Sequence, residues 1–169
     1  MFAFYANFKR EIRSLNKPVF AVYFLTTTFW FWVSHILGGS AKLYCCLNLP
    51  LLAAPLPILK CLVLVLTLSS STAISLYMNK FSKIGLGRKI TASAAYLLFI
   101  TACGCWYPMF FAKRNFGGAL VLVGACIFLC LCCIKMFRKK CGMSAILMFF
   151  TLVVLCYFFF LQLCINILN

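Results

Sequence analysis

The chain has 169 residues, 66% of them hydrophobic, with 16 basic side chains, one acidic side chain and a mean hydropathy of +1.08. Only 10% of residues are charged, against about a quarter in a soluble domain, which excludes a water-soluble globular protein. The net charge of +15 does not make a nucleic-acid binder either, because the basic residues punctuate apolar runs and cover no face.

A hydrocarbon core about 30 Å thick takes roughly 20 apolar residues per helix, so the chain has room for about five spans and little else. The expected fold is all-α, a polytopic integral membrane protein built as a bundle of five transmembrane helices in one domain over 1–169. Residues 1–17 carry Lys9, Arg10, Arg13 and Lys17 among Phe2, Phe4, Tyr5 and Phe8, and read as a short interfacial segment. Pro18 opens the first span, expected over 19–37 and stopped by Gly38 and Gly39. The small residues Gly39, Ser40 and Ala41 suit a signal peptide, but the basic region is too long and the apolar run has spanning length.

The second span is expected over 47–78. Pro50, Pro55 and Pro57 make its start extended or kinked, with regular helix from about Ile58, and Lys60 can snorkel to the interface. The third is expected over 90–111, with Pro108 ending the helix and Phe110 and Phe111 anchoring it at the interface. A very short turn at 112–115 leads to the fourth span, 116–137. Arg138, Lys139 and Lys140 separate that from the fifth, 143–167. No repeat and no low-complexity linker stands out.

Five spans sort the charges. One side receives Lys9, Arg10, Arg13, Lys17, then Lys80, Lys83, Arg88, Lys89, then Lys135, Arg138, Lys139, Lys140; the other receives Lys42, Lys113 and Arg114. This asymmetry predicts a cytoplasmic N-terminus and a C-terminus outside. The expected location is a bacterial inner membrane.

The single acid limits the chemistry. Glu11 precedes the first span, so carboxylate pairs, proton relays and hard-cation sites are unavailable inside the membrane, and His35, the only histidine, sits near the outer end of span one as an interfacial hydrogen-bonding residue. None of the 12 cysteines forms a zinc-type C-x-x-C pair in a loop, and most fall inside spans, where cysteine packs as a small apolar residue; Cys45 and Cys46, in the first loop, are the exceptions. Trp30, Trp32, Tyr23 and Tyr44 read as belt aromatics, and Ser69 to Thr72 as residues that bond back to their helix or allow close packing. No catalytic residue, metal ligand or required cofactor is expected.

The segment Trp106-Tyr107-Pro108-Met109-Phe110-Phe111, then Arg114, Gly117, Ala119 and Leu120, resembles the translocator protein family (TspO/MBR, the tryptophan-rich sensory proteins), whose third and fourth helices carry W-x-P-x-F-F, a basic turn and G-x-A-L. Gly117 and Gly118 would let the fourth helix pack closely on its neighbour. Tyr44, Pro50 and Pro55 match the approach to the family's second helix, and Leu161 and Gln162 the Leu-Asn step of its fifth. The family's Asn-Trp pair falls on Cys103 and Gly104, its early fourth-helix acid on Leu122 and its second-helix Trp near Val63. Its C-terminal sterol-recognition pattern needs a Lys or Arg after Tyr157, and none follows.

The resemblance implies a membrane protein that binds or transports tetrapyrroles (porphyrin or haem) or similar flat apolar ligands such as sterols, commonly as a homodimer in the lipid bilayer. The pocket would lie among the five helices near the outer leaflet, capped by the first loop. Trp106 and Phe110 would line it, with Tyr107, Pro108 and Phe158 beside them and Tyr157 and Leu161 facing them. Gln162 would give a polar contact, Tyr44 and Pro50 part of the lid, and Lys113 and Arg114 partners for propionates. The alternatives are an accessory subunit, which predicts no ligand-stabilised melting, and a thiol-redox or porphyrin-degrading enzyme. Thiol chemistry needs paired accessible thiols; porphyrin breakdown is weakened by the vacant Trp positions.

Overall fold

The computed structural model describes residues 10, 13, 15–38, 47, 50, 53–79 and 85–168. Five long helices account for most of these residues: α1 (Lys17–Gly38), α2 (Leu56–Asn79), α3 (Leu86–Phe111), α4 (Phe116–Arg138) and α5 (Gly142–Leu168). All five are long and apolar enough to cross a membrane, and the described residues contain no strand. At 1.5 Å per residue, helices of 22 to 27 residues reach roughly 33 to 40 Å, enough for the hydrocarbon core with some tilt.

The second helix starts at Leu56, close to the regular helix expected from about Ile58. Pro50 and Pro55 lie before it, and Pro57 sits in its first turn, where a missing N–H removes no helical bond. Pro108 does not end the third helix, which continues to Phe111. The ring removes one bond to the preceding turn, while the Pro108 carbonyl still accepts from the amides of Ala112 at 3.0 Å and Lys113 at 3.1 Å. The chain then reverses within residues 112–115. Arg114 takes a left-handed φ of 51°, and Asn115 caps α4, its Oδ1 accepting from the Gly118 amide at 2.8 Å.

Each helix packs along two others, which closes a ring in the order α1–α2–α5–α4–α3. The consecutive helices α2 and α3 hardly touch. Inside the ring are large buried side chains, among them Tyr77, Tyr96, Phe99, Phe110, Phe137 and Met148. Outside are equally apolar ones, such as Phe29, Trp32, Val121, Phe128 and Phe150, which face the lipid of a membrane-spanning bundle.

Hydroxyls tie the helices together. The Tyr96 hydroxyl on α3 lies 3.0 Å from Thr27 Oγ1 on α1, and 3.4 and 3.5 Å from Ser71 and Ser70 on α2. Tyr23 meets Ser93 at 2.8 Å, and Ser69 meets Thr151 on α5 at 2.8 Å. Ser70 and Ser71 also bond back to the Thr67 carbonyl, as expected of the serine run of α2.

Tyr23 and Trp30 are not belt aromatics. Tyr23 turns inward, edge-on to Tyr96 at 5.6 Å. Trp30 packs on Gly104 of α3: a Cβ there would collide with its indole and come within 2.8 Å of Ser34 Oγ. Gly38 lies equally close to Tyr107 of α3, and of the two glycines that open α4, Gly118 packs on Met109 of α3 while Gly117 meets only Asn115.

Candidate functional site

Trp106 sits one turn before the end of α3, and its indole points into the bundle. Its ring stacks on Phe110 at 5.5 Å with planes 21° apart, as one helical turn between them allows, and meets Phe158 of α5 edge-on at 5.5 Å. Phe111 stands edge-on to it at 6.3 Å, and Phe110 also packs against Phe116 at 5.4 Å, across the turn into α4. These offset and edge-on arrangements are the favourable ones for aromatic quadrupoles.

The Trp106 Nε1–H donates to Gln162 Oε1 at 3.3 Å, and Gln162 Nε2 donates to the Phe116 carbonyl at 3.1 Å. Gln162 is 1% exposed and bridges α3, α4 and α5 at one point. It meets the indole donor and adds a second bond to a carbonyl in the first turn of α4.

Beneath Trp106 lies an apolar cavity of about 40 Å³. Trp106 and Phe158 form part of its wall together with residues not singled out from the sequence: Phe31 on α1, Val63 and Leu66 on α2, Cys103 on α3, Val123 and Cys126 on α4, and Leu155 on α5. Four helices contribute a pair three residues apart, the spacing that puts side chains on one helix face. That spacing was available in the sequence, but every helix carries several such pairs.

The other candidates take distinct places. Tyr107 does not line the cavity; it stacks on His35 at 5.2 Å and Phe111 at 4.4 Å, closing the end of α1 against α3. Tyr157 packs on Phe158, and its hydroxyl accepts from the Ala54 amide at 2.9 Å, which pins the segment before α2 to α5. Pro50 lies in that segment, half-buried, its carbonyl bonded to the Ala53 amide at 2.9 Å. Leu161 is buried one turn from Tyr157 and Phe158, and Pro108 is half-buried beside the aromatic cluster. Lys113 and Arg114 are exposed in the α3–α4 turn at the same end. Tyr44 falls outside the described residues, as do Cys45 and Cys46.

The described cysteines are free thiols; those on α4 are mostly buried, and Cys130 Sγ donates to the Met148 carbonyl at 3.5 Å. No cluster of potential metal ligands occurs among the described residues.

A profile described as the TspO/MBR family matches residues 20–168, nearly the whole chain. No curated protein matches it.

Proposed function

The chain belongs to the TspO/MBR family of membrane proteins, and from that premise we propose that it binds a tetrapyrrole, a porphyrin or haem, or a similar flat apolar ligand such as a sterol, at the Trp106 end of the bundle. The observation that carries this reading is the aromatic wall of Trp106 and Phe158 over an apolar cavity, with Phe110 stacked behind Trp106 and Gln162 as its polar partner. Flat apolar ligands are held by such walls together with a few fixed polar contacts.

Sites for ligands of that size usually enclose about 300–1,000 Å³, while the cavity holds about 40 Å³. Binding therefore parts the rings, and the hinge of that opening lies where α2 is fixed to α5 through Ala54 and Tyr157. Lys113 and Arg114, exposed at the same end, meet the propionates of a porphyrin. The chain works in the inner membrane of a bacterium with its N-terminus in the cytoplasm and this site outside, as a homodimer, and it carries its ligand without altering it.

Titration of the purified protein with protoporphyrin IX tests the reading. Tryptophan emission falls and the Soret band shifts on binding, and Trp106→Ala weakens binding by about tenfold or more, as loss of a buried aromatic anchor does. Unchanged emission and an unshifted Soret band would sink the proposal and favour an accessory role.

A further inference from the structure

At the opposite end of the bundle, where α2 ends, α3 begins and α4 ends, lies a second and far larger pocket of about 370 Å³. Its wall carries Arg88 and Thr91 from α3, Lys135 and Met136 from α4, Lys139 and Lys140 just beyond α4, and Tyr77 from α2. Four of these side chains are cations. No described residue is acidic, and the one acidic side chain of the sequence is Glu11.

Lys135, Lys139 and Lys140 lie in or just after the last turn of α4, where cations favour the helix dipole. Arg88 has no such reason to be there. It stands in the first turn of α3, the end at which a cation opposes the dipole, and that turn contains no acid. Tyr77 adds a second observation. It is 2% exposed, its ring is fixed on Phe137 at 4.7 Å, and it lines the pocket while bonding to no other described residue. Four like charges and a phenol O–H that bonds to no other described residue surround one opening with no described acid, a set that a phosphate group with its oxygens would complete.

We propose that this pocket binds a phosphate anion through Arg88, Lys135, Lys139, Lys140 and the Tyr77 hydroxyl. Its position at the membrane face suits the phosphodiester of an anionic lipid, and a free phosphate shares the same chemistry. The proposal stands apart from the aromatic site and does not need a porphyrin to bind there.

The full chain in nanodiscs of phosphatidylcholine, with or without phosphatidylglycerol, provides the test, with thermal melting as the readout. Inorganic phosphate added to the phosphatidylcholine discs forms the second arm. The melting temperature rises in at least one arm, and Lys135→Gln/Lys139→Gln/Lys140→Gln removes the rise, while Lys60→Gln, which loses a charge at the start of α2, keeps it. With short-chain phosphatidylglycerol or phosphate as the titrant, each lost cation weakens binding about fivefold and the triple variant about a hundredfold. A rise with phosphatidylglycerol alone assigns the site to lipid, and one with phosphate alone to the free anion. No rise in either arm overturns the proposal, as does a rise that survives the triple substitution or is lost equally in Lys60→Gln. Should the triple variant not fold, Lys139→Gln/Lys140→Gln, which changes two exposed side chains only, answers the same question with an expected loss of about 25-fold.

Discussion

Gln162 holds three helices with one side chain, and its length matters. Its carboxamide accepts from Trp106 and donates to the Phe116 carbonyl, at 3.3 and 3.1 Å. An asparagine in the same place is one methylene shorter and cannot keep both contacts without moving α5 inward. Gln162→Leu removes both bonds and leaves the half-buried indole N–H without its acceptor, and is expected to cost roughly 1–2 kcal/mol, the upper range for interhelical hydrogen bonds in membranes. Gln162→Asn should cost about half as much. Unfolding in mixed detergent with SDS measures both, and a Gln162→Leu variant as stable as the parent would show that the bridge contributes nothing. Trp106, which lines the cavity, was legible as a candidate because its W-x-P-x-F-F context is specific. Cys103, Val123 and Leu155 were not, since an apolar residue inside a span carries no mark of the face it occupies.

At the level of the helix, the crossing of α1 and α3 turns on two glycines, Gly38 against Tyr107 and Gly104 against Trp30. Trp30 occupies the space that a side chain at 104 would need, and it falls where the family resemblance sets a tryptophan on α3 itself. The bulk comes from the neighbouring helix instead, and its buried Nε1 has no hydrogen-bond partner among the described residues. Gly104→Ala is therefore expected to destabilise the bundle by about 1–3 kcal/mol through overpacking. Trp30→Ala also destabilises, through a cavity, but combining the two should cost less than their sum by at least about 0.5 kcal/mol. Strict additivity in that double-mutant cycle would contradict the packing described. The spans themselves were readable, because apolar runs of 18 or more residues between basic clusters have few other meanings. The ring order was not. Lipid is as apolar as the interior, so no hydrophobic face distinguishes inside from outside. Thr67, Ser71 and Ser75, four residues apart and all buried, were the readable trace of the inner face of α2.

The same four-residue logic explains why Tyr96 became the hub of the polar network. It lies across from that stripe, 3.4 Å from Ser71 and 3.0 Å from Thr27, so three helices share one hydroxyl cluster in the middle of the bundle. Over the whole molecule, the polar centre separates two ends of opposite character. One end is aromatic and carries Lys113 and Arg114; the other carries Arg88, Lys89, Lys135, Arg138, Lys139 and Lys140. Charge of this kind decides insertion, because short loops rich in Lys and Arg are retained on the cytoplasmic side. The expectation is that alkaline phosphatase fused after Asn169 is active and a fluorescent protein fused there is dark, with the reverse for fusions in the 80–84 segment. That outcome puts the basic pocket against the anionic leaflet, where each cation gains about 1 kcal/mol from the surface, and leaves the aromatic end open to ligand from outside. The opposite reporter pattern would invert both assignments at once, since a five-span bundle cannot turn one end without the other.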